Sequence, residues 1–310
     1  LPGSILFEEW TFKVAIHIRH QCRKIMLTTE EIKDRIHIML DSKAIIANNG
    51  LNPNKALGQN FLIDETAIKK IVELCRCDDS PVLEIGPGLG ALTEELLKHA
   101  QKVCAVEIDA NMVQLLSANL GNNPKLSLVN CDFLKYPVER IKDEFSCGSF
   151  IVAANLPYYI TAPICQRLFD GELNISRMVL MMQEEAADRF TAAPGAKNYV
   201  PLSVIAQQLF DISVGLKLSP ASYYPAPEVN SVVLVFERSN RFTPKDFSKV
   251  VKAAFAMRRK TLFNNLQSIA DKAAVLQIIE SAGLSPSVRA ESLSPSDFVS
   301  LSKAYDELIK

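Results

Sequence analysis

The feature that most constrains the fold is a regular alternation, from Pro81 onward, of short apolar runs with stretches of helical spacing. The apolar runs predict strands at 82–85, 102–106, 126–129, 150–153 and 178–181. The intervening stretches predict helices at 92–99, 111–120 and 162–169. Because such alternation is typical of parallel strands joined by crossover helices, it predicts an α/β fold with a doubly wound, mostly parallel sheet covered on both faces.

The rest of the chain divides into an edge of the sheet and two flanking regions. Further β-like runs at 212–218 and 231–236 predict an extension of the sheet at one edge, and the pattern after Arg241 turns helical, at 246–257, 272–282 and 295–308. We therefore predict a main domain over 51–240 and a smaller helical domain over 241–310. Residues 1–50 form an extension, with a helix over 27–48 that Thr28 and Glu31 cap. We hypothesise that Met26 is the native start and that 1–25 is not native.

Composition and charge limit the kind of ligand that the protein can bind. The 310 residues are 48% hydrophobic, enough for a substantial core, and 34 Lys and Arg against 35 Asp and Glu give a net charge of −1. Residues 240–310 nevertheless hold 11 Lys and Arg against 7 Asp and Glu, a net of +4. The near-neutral total therefore excludes a uniformly basic nucleic-acid binder but leaves a local basic patch in the helical domain.

Targeting and metal signals are weak. The longest uncharged stretch, 145–166, contains Pro157 and Pro163 and does not predict a transmembrane helix. The seven cysteines lack the paired spacing of a disulfide framework and residues 1–25 lack a secretory signal, so we expect a cytoplasmic protein. His17, His20 and Cys22 lack a complementary ligand pair, and we predict no metal site.

A glycine-rich loop follows the first predicted strand of the sheet. Gly86, Gly88 and Gly90 connect that strand to a helix that begins near Ala91, which allows the backbone to approach a bound ligand. Glu107 ends the next strand, 21 positions beyond Gly86, where a carboxylate accepts both hydroxyls of a ribose. These features fit a nicotinamide enzyme and a methyltransferase equally well.

A second motif, Asn155-Leu156-Pro157-Tyr158, ends the fourth predicted strand and separates these two classes. An exocyclic base amine is a poor nucleophile, because its lone pair is delocalised into the ring. The Asn155 side-chain carbonyl and the Leu156 backbone carbonyl, held by Pro157, can accept hydrogen bonds from the two N–H groups of this amine. These hydrogen bonds can direct the nitrogen lone pair at an activated methyl group. Tyr158 offers a ring on which a flipped-out base can stack. Asp132, after the third strand, can accept from the cofactor's adenine amine.

Together these residues resemble the small-subunit ribosomal RNA adenine N6,N6-dimethyltransferases, the KsgA family. The resemblance covers 54–309 and rests on separated motifs in order: 57–62 (LGQNFL), 84–90 (EIGPGLG), 106–109 (VEID), 155–159 (NLPYY), 183–185 (QEE), 258–262 (RRKTL) and 289–291 (RAE). It implies a Rossmann-like class I methyltransferase sheet and an S-adenosyl-L-methionine-dependent enzyme. Such an enzyme dimethylates two adjacent adenosines in a hairpin loop near the 3′ end of small-subunit ribosomal RNA during ribosome assembly.

The resemblance also assigns roles to individual residues. Its cofactor contacts fall on Asn60, Leu62, Gly86, Glu107, Asp132 and Asn155. Asn155 and Tyr158 fall where the target adenine is held, and Tyr223, where the family often has Phe, falls where a second ring sandwiches it. Arg258, Arg259 and Lys260 fall in the RNA-binding segment. Val200 stands where the family usually has a glycine. The implied partner is small-subunit RNA, within a partly assembled subunit, bound by a monomer.

Two alternatives stay open at this stage. Antibiotic-resistance methyltransferases that act on large-subunit RNA share the fold and an Asn-x-Pro-Tyr motif, although the motifs at 258–260 and 289–291 favour the small-subunit group. A non-catalytic assembly or transcription factor of the same fold is the other alternative. Intact Gly86, Glu107, Asp132 and Asn155 argue against the loss of chemistry.

Overall fold

The computed structural model of the protein describes residues 57–146 and 148–309. The predictions made for residues 1–50, including the helix over 27–48, the start at Met26 and the absence of a metal site around His17, lie outside these described residues.

A seven-stranded sheet forms the centre of the described chain. The described residues form nine strands, of which all but β1 and β8 belong to this sheet: β1 (Phe61–Leu62), β2 (Pro81–Ile85), β3 (Lys102–Glu107), β4 (Leu126–Asn130), β5 (Phe150–Asn155), β6 (Ile175–Gln183), β7 (Phe210–Leu218), β8 (Tyr223–Tyr224) and β9 (Ser231–Arg238). The spatial order of the sheet is β4-β3-β2-β5-β6-β9-β7, in which β4 to β6 run parallel and β9 and β7 are antiparallel to their neighbours. The predicted parallel sheet and its extension at one edge are thus confirmed.

Helices cover both faces of this sheet. They are α1 (Glu65–Cys75), α2 (Ala91–His99), α3 (Ala110–Leu120), α4 (Val138–Glu144), α5 (Thr161–Phe169), α6 (Glu184–Ala187), α7 (Pro201–Leu209), α8 (Phe247–Ala254), α9 (Leu262–Leu266), α10 (Lys272–Ser281) and α11 (Pro295–Leu308). One apolar cluster joins α1 and α2 to one face, and a larger cluster covers the other. In the described part of the chain, no helix has both the length and the apolar character that crossing a bilayer requires.

Five helices were not predicted as separate elements: α1, α4, α6, α7 and α9. Helix α1 precedes the first strand of the large sheet, and the side chain of Asp64 caps it by accepting from the Ala67 N–H (3.2 Å). Helix α7 begins after Val200, whose N–H donates to the Ser203 hydroxyl (3.0 Å). Val200 has φ −138°, an extended backbone that any residue adopts, so the absence of the family's glycine causes no strain there.

The region after Arg241 is helical, as predicted. Helices α8 and α11 pack on α7, and apolar residues of this region share one continuous cluster with a face of the sheet. The division at 240/241 into two domains stays a prediction, because the apolar core continues across that position.

A short antiparallel ribbon positions one wall of the site. Strand β1 pairs with β8, with Phe61 opposite Tyr224 and Leu62 opposite Tyr223. The ribbon is held by Ser222, whose hydroxyl donates to Asp64 (2.9 Å) and whose carbonyl accepts from the Ile63 N–H (2.9 Å). The segment 57–62 is thereby held across the carboxyl ends of the parallel strands.

Candidate active site

A cavity opens where the carboxyl ends of β2, β3 and β5 meet the segment 57–62. In an α/β sheet this edge is the usual ligand site. The cavity is lined by nine of the residues predicted for the cofactor or the target base: Asn60, Leu62, Gly86, Glu107, Asp132, Asn155, Leu156, Pro157 and Tyr158. Tyr223, Arg258, Arg259 and Lys260 do not line it.

The glycine-rich loop needs its glycines for two different reasons. Gly86 has φ +69°, and a Cβ built there would meet open space, so only the backbone conformation requires glycine. At Gly88, with φ +57°, a Cβ would also lie 2.9 Å from Cδ1 of Phe61. The loop can therefore pack closely against the ring of Phe61 in β1 and leave its backbone open to the cavity.

Glu107 is held at the end of β3 by two backbone groups. Its Oε2 accepts from the Gly88 N–H (3.1 Å) and its Oε1 from the Asp109 N–H (2.9 Å). Burial raises its pKa, and the two N–H donors counteract this rise. Each carboxylate oxygen keeps a further lone pair, so this anchored side chain can accept hydroxyls from a ribose.

Asp132 lies at the neighbouring strand end. Its Oδ1 accepts from the Leu134 N–H (2.9 Å), while Oδ2 is 3.8 Å from the Lys135 ammonium. The turn after β4 thus orients the carboxylate at the cavity wall, where it can accept from an exocyclic amine.

Glu84 is a third carboxyl group of the cavity that sequence reasoning did not assign. It is 1% exposed in β2, and its Oε2 has no hydrogen-bond partner among the described residues. Burial raises its pKa to about 8, and the nearby Thr93 side chain opposes this rise in part. The signal was visible in the sequence as a single acidic residue inside the apolar run 82–85.

The charge of the cavity separates the two cofactor classes that the glycine loop left open. Its carboxyl groups are Glu107, Asp132 and Glu84, of which Glu84 stays largely protonated because burial raises its pKa to about 8; among the described residues no Lys, Arg or His lines the cavity. A dinucleotide would bring a pyrophosphate into this acidic environment without a side-chain cation to balance it. S-adenosyl-L-methionine carries a sulfonium and an ammonium group, and both are favoured there.

Asn155 lies at the carboxyl end of β5, in the wall of the cavity. Its Nδ2 donates to the backbone carbonyl of Asn60 (2.9 Å), and this bond fixes the orientation of the carboxamide. Its Oδ1 is left as an acceptor, since no described residue donates to it. The next residue is also fixed, because the Leu156 N–H donates to the Met181 carbonyl (3.0 Å).

Tyr158 stands at the cavity wall in a turn of 3₁₀ helix over Tyr158–Ile160. Its hydroxyl is 3.1 Å from that of Ser231, and Thr161 donates to the Pro157 carbonyl (3.1 Å) to hold the turn. Burial raises the pKa of Tyr158, so the phenol stays neutral at physiological pH. The arrangement presents a fixed, uncharged ring next to Asn155.

Tyr223 occupies a different environment from the one expected for a sandwiching ring. It is 3% exposed in the core cluster on one face of the sheet, and burial raises its pKa. Its hydroxyl lies near Ser231 without reaching hydrogen-bond geometry. The structure thus places Tyr223 behind the cavity wall, and its contact with the target base stays a prediction.

All three residues of the predicted RNA-binding triplet are exposed, and Arg258 is also paired. Arg258 donates to the Glu291 carboxylate (2.8 Å) and to the Lys197 carbonyl (3.1 Å), so the motifs at 258–262 and 289–291 meet in space. Arg259 and Lys260 are exposed. Arg258 thus forms an exposed ion pair that links the two motifs, while the RNA contact of all three residues stays a prediction.

Comparison with known proteins agrees with this geometry. The sequence profile of the family described as ribosomal RNA adenine dimethylase matches residues 50–307. The chain is 39% identical over 285 residues to ribosomal RNA small subunit methyltransferase A of Clostridium perfringens, covering 89% of this chain and 97% of the relative. It is 38% identical over 283 residues to the protein of that name from Staphylococcus epidermidis, covering 86% and 96%.

Solved structures share the fold. A dimethyladenosine transferase from Plasmodium falciparum superposes with a TM-score of 0.66 at 22% identity, covering 80% of this chain and 98% of its own. The 23S rRNA methyltransferase ErmE superposes with a TM-score of 0.58 at 25% identity, covering 80% and 100%. The match of the family profile across most of the chain, together with relatives near 39% identity, shows that the chain belongs to the ribosomal RNA adenine dimethylase family.

Proposed function

We propose that this methyltransferase dimethylates N6 of two adjacent adenosines in a hairpin loop near the 3′ end of small-subunit ribosomal RNA, with S-adenosyl-L-methionine as methyl donor. The observation that carries the proposal is Asn155, oriented by the Asn60 carbonyl (2.9 Å) at the edge of a cavity with three carboxyl groups. The small-subunit relatives support the choice of RNA, since they match at 38–39% identity and ErmE at 25%.

The residues of the cofactor half bind and orient. Glu107 would accept from ribose hydroxyls, Asp132 from the adenine amine, and the Gly86 backbone lies where a close approach is needed. When bound, S-adenosyl-L-methionine supplies an already activated methyl group, so the protein needs no strongly basic residue. The acidic lining offsets the positive charge of the donor.

The residues of the target half make the amine reactive. Asn155 Oδ1 and the Leu156 carbonyl would accept hydrogen bonds from the two N–H groups of N6. These hydrogen bonds draw the nitrogen lone pair out of conjugation with the ring. Tyr158 would stack on the flipped base and hold its plane. After one methylation a single N–H remains, and either acceptor can orient it for the second transfer.

The cellular setting belongs to the same proposal. We infer a monomer that acts in the cytoplasm on a partly assembled small subunit rather than on naked RNA. The local excess of basic residues over 240–310, a net of +4 in a chain of net −1, supports recognition through one patch of a shaped particle.

Mass mapping of small-subunit RNA from cells that lack the protein tests the function directly. We expect the two dimethyladenosines to be absent and to return when the intact chain is supplied. Unchanged dimethylation in those cells would refute the proposal, and loss of a methyl group from large-subunit RNA would favour the resistance-type alternative. Restoration of growth by a chain carrying Asn155→Ala, without RNA methylation, would favour a non-catalytic assembly factor.

A further inference from the structure

An exposed aromatic ring at the cavity has no part in the proposed mechanism. Tyr159 follows Tyr158 in the same 3₁₀ turn and lines the mouth of the cavity, yet 55% of its surface is exposed. Among the described residues, Ile108 is the other large apolar side chain that is both exposed and part of the cavity wall, which makes Tyr159 the one aromatic ring of this kind.

One close contact positions the ring, and its surroundings keep the phenol neutral. A Cβ built on Gly58 would lie 3.3 Å from Cδ1 of Tyr159, so the ring packs closely against the backbone of the opposite loop. The partial burial of its hydroxyl and the nearby carboxylates of Asp132 and Glu107 raise the pKa of Tyr159, which keeps it neutral. One part of the ring thus contacts the loop, while more than half of its surface faces solvent at the mouth.

The position of Tyr159 relative to Tyr158 indicates what it binds. Tyr158 is half-buried at the wall where the target base would stack, and its hydroxyl is tied to Ser231 (3.1 Å). The nucleotide next to a flipped base remains covalently attached to it and must lie at the mouth of the same cavity. An exposed aromatic face takes up such a base by stacking, whichever base it is, because every base has a π-face.

We propose that Tyr159 is a positioning residue that stacks on the base adjoining the target adenosine, so that the second adenosine waits at the mouth while the first is methylated. The inference rests on the proposed function, because it takes the substrate to be two adjacent adenosines. Tyr159 would thus provide a second stacking site at the mouth of the cavity, in addition to the one that Tyr158 provides inside it.

A fluorescent hairpin RNA provides the test. The full chain is titrated with a hairpin in which 2-aminopurine replaces the base next to the target adenosine. We expect the original chain and Tyr159→Phe to quench this base on binding, and Tyr159→Ala to leave it bright. For unmodified hairpin, Tyr159→Ala should raise KM about tenfold, which corresponds to about 1.4 kcal/mol, while the Kd of S-adenosyl-L-methionine stays within about twofold.

Phe242→Ala is the matched control, since Phe242 is an aromatic residue that is 68% exposed and does not line the cavity. It should change neither quenching nor KM. On under-methylated small subunits, Tyr159→Ala should also increase the fraction of RNA modified at only one adenosine, whereas Tyr159→Phe should not.

Two results would overturn the inference. Equal quenching by Tyr159→Ala and the original chain would show that the adjoining base lies elsewhere. A large loss of cofactor affinity with quenching intact would show that the ring covers the cofactor instead. Quenching reports RNA binding without turnover, so a failure to methylate adenosine would contradict the proposed function while this experiment still tests Tyr159.

Discussion

At the residue scale, the site depends on groups whose partners are already fixed in the folded protein. Asn155 and Glu107 each use part of their hydrogen-bonding capacity on the backbone, through the Asn60 carbonyl and the N–H groups of Gly88 and Asp109. Their remaining acceptors therefore enter the reaction in a defined orientation, and the cost of ordering them is met during folding.

Replacing Asn155 tests the assigned acceptor. Asn155→Ala removes the carboxamide that orients N6. We expect the rate of methyl transfer to fall at least a hundredfold, because loss of one preorganised hydrogen-bonding group lowers kcat by roughly 10²–10³. The affinity for S-adenosyl-L-methionine should fall only moderately. Labelled-methyl transfer to under-methylated small subunits and calorimetric cofactor binding measure the two quantities. Near-normal turnover would rule out the role given to Asn155.

Glu84 gives the stability of the protein a pH dependence. Burial raises its pKa from 4.5 to about 8, so the folded chain keeps a proton that the unfolded chain releases. This contribution to the free energy of unfolding is fully present below pH 4.5 and is lost as the pH rises toward about 8.

The pH dependence that Glu84 gives to stability can be measured with the isosteric Glu84→Gln variant, which cannot ionise. Urea unfolding at several pH values should show the variant gaining stability relative to the original chain as the pH rises between about 5 and 8. Parallel stability profiles for the two proteins would contradict the buried neutral carboxyl group.

At the element scale, the strands of the large sheet and the helical region after Arg241 could be predicted, while helices α1 and α7 and the ribbon of β1 and β8 could not. The apolar runs at 82–85 and 150–153 correctly predicted β2 and β5, because a short apolar run between two helices in an α/β chain forms a buried strand of the central sheet. Helix α7 was missed because its anchor is tertiary: Arg241, 32 positions beyond Leu209, donates to carbonyls at its carboxyl end.

The contacts that Arg241 makes with the carboxyl end of helix α7 can be tested by mutation. Its guanidinium donates to the carbonyls of Gln207 (2.9 Å), Gln208 (3.0 Å) and Phe210 (2.7 Å) and to the Asp211 carboxylate (2.6 Å). Arg241→Ala should lower the free energy of unfolding by about 1–2 kcal/mol, the lower part of the range for charged donors because the group is partly exposed.

Arg241→Lys is the control for charge alone. A single ammonium cannot reach all four acceptors, so we expect an intermediate loss in denaturant unfolding. A Lys variant as unstable as the Ala variant would show that the planar fork carries the whole effect. An Ala variant with unchanged stability would show that α7 is held without this residue.

At the scale of the whole molecule, charge is divided between two regions. The catalytic cavity has an acidic lining, whereas residues 240–310 carry a net of +4. Arg259 and Lys260 are exposed in the basic region, while Arg258 is paired with Glu291. On the proposed function, this division would let one region attract RNA while the other binds a cationic methyl donor.

Reversing the two exposed charges tests this division. Arg259→Glu together with Lys260→Glu should weaken RNA binding and reduce its log–log salt slope by about 1–2, because each lost phosphate contact accounts for roughly 0.7–0.9. Cofactor affinity should not change. Lys272→Glu with Lys303→Glu, two exposed lysines of the same region, makes the same change in net charge. An equal effect of both double variants would place the RNA surface elsewhere.

The sequence by itself determined the parallel sheet, the motifs at its carboxyl edge and the family, because these depend on the period of apolar residues and on local loop chemistry. Only the tertiary structure decided that Tyr223 is buried behind the cavity, that Arg258 pairs with Glu291, and that Glu84 is a buried acid of the site. Burial and pairing arise from neighbours distant in the chain, and a one-dimensional pattern does not encode which of them remove a side chain from water.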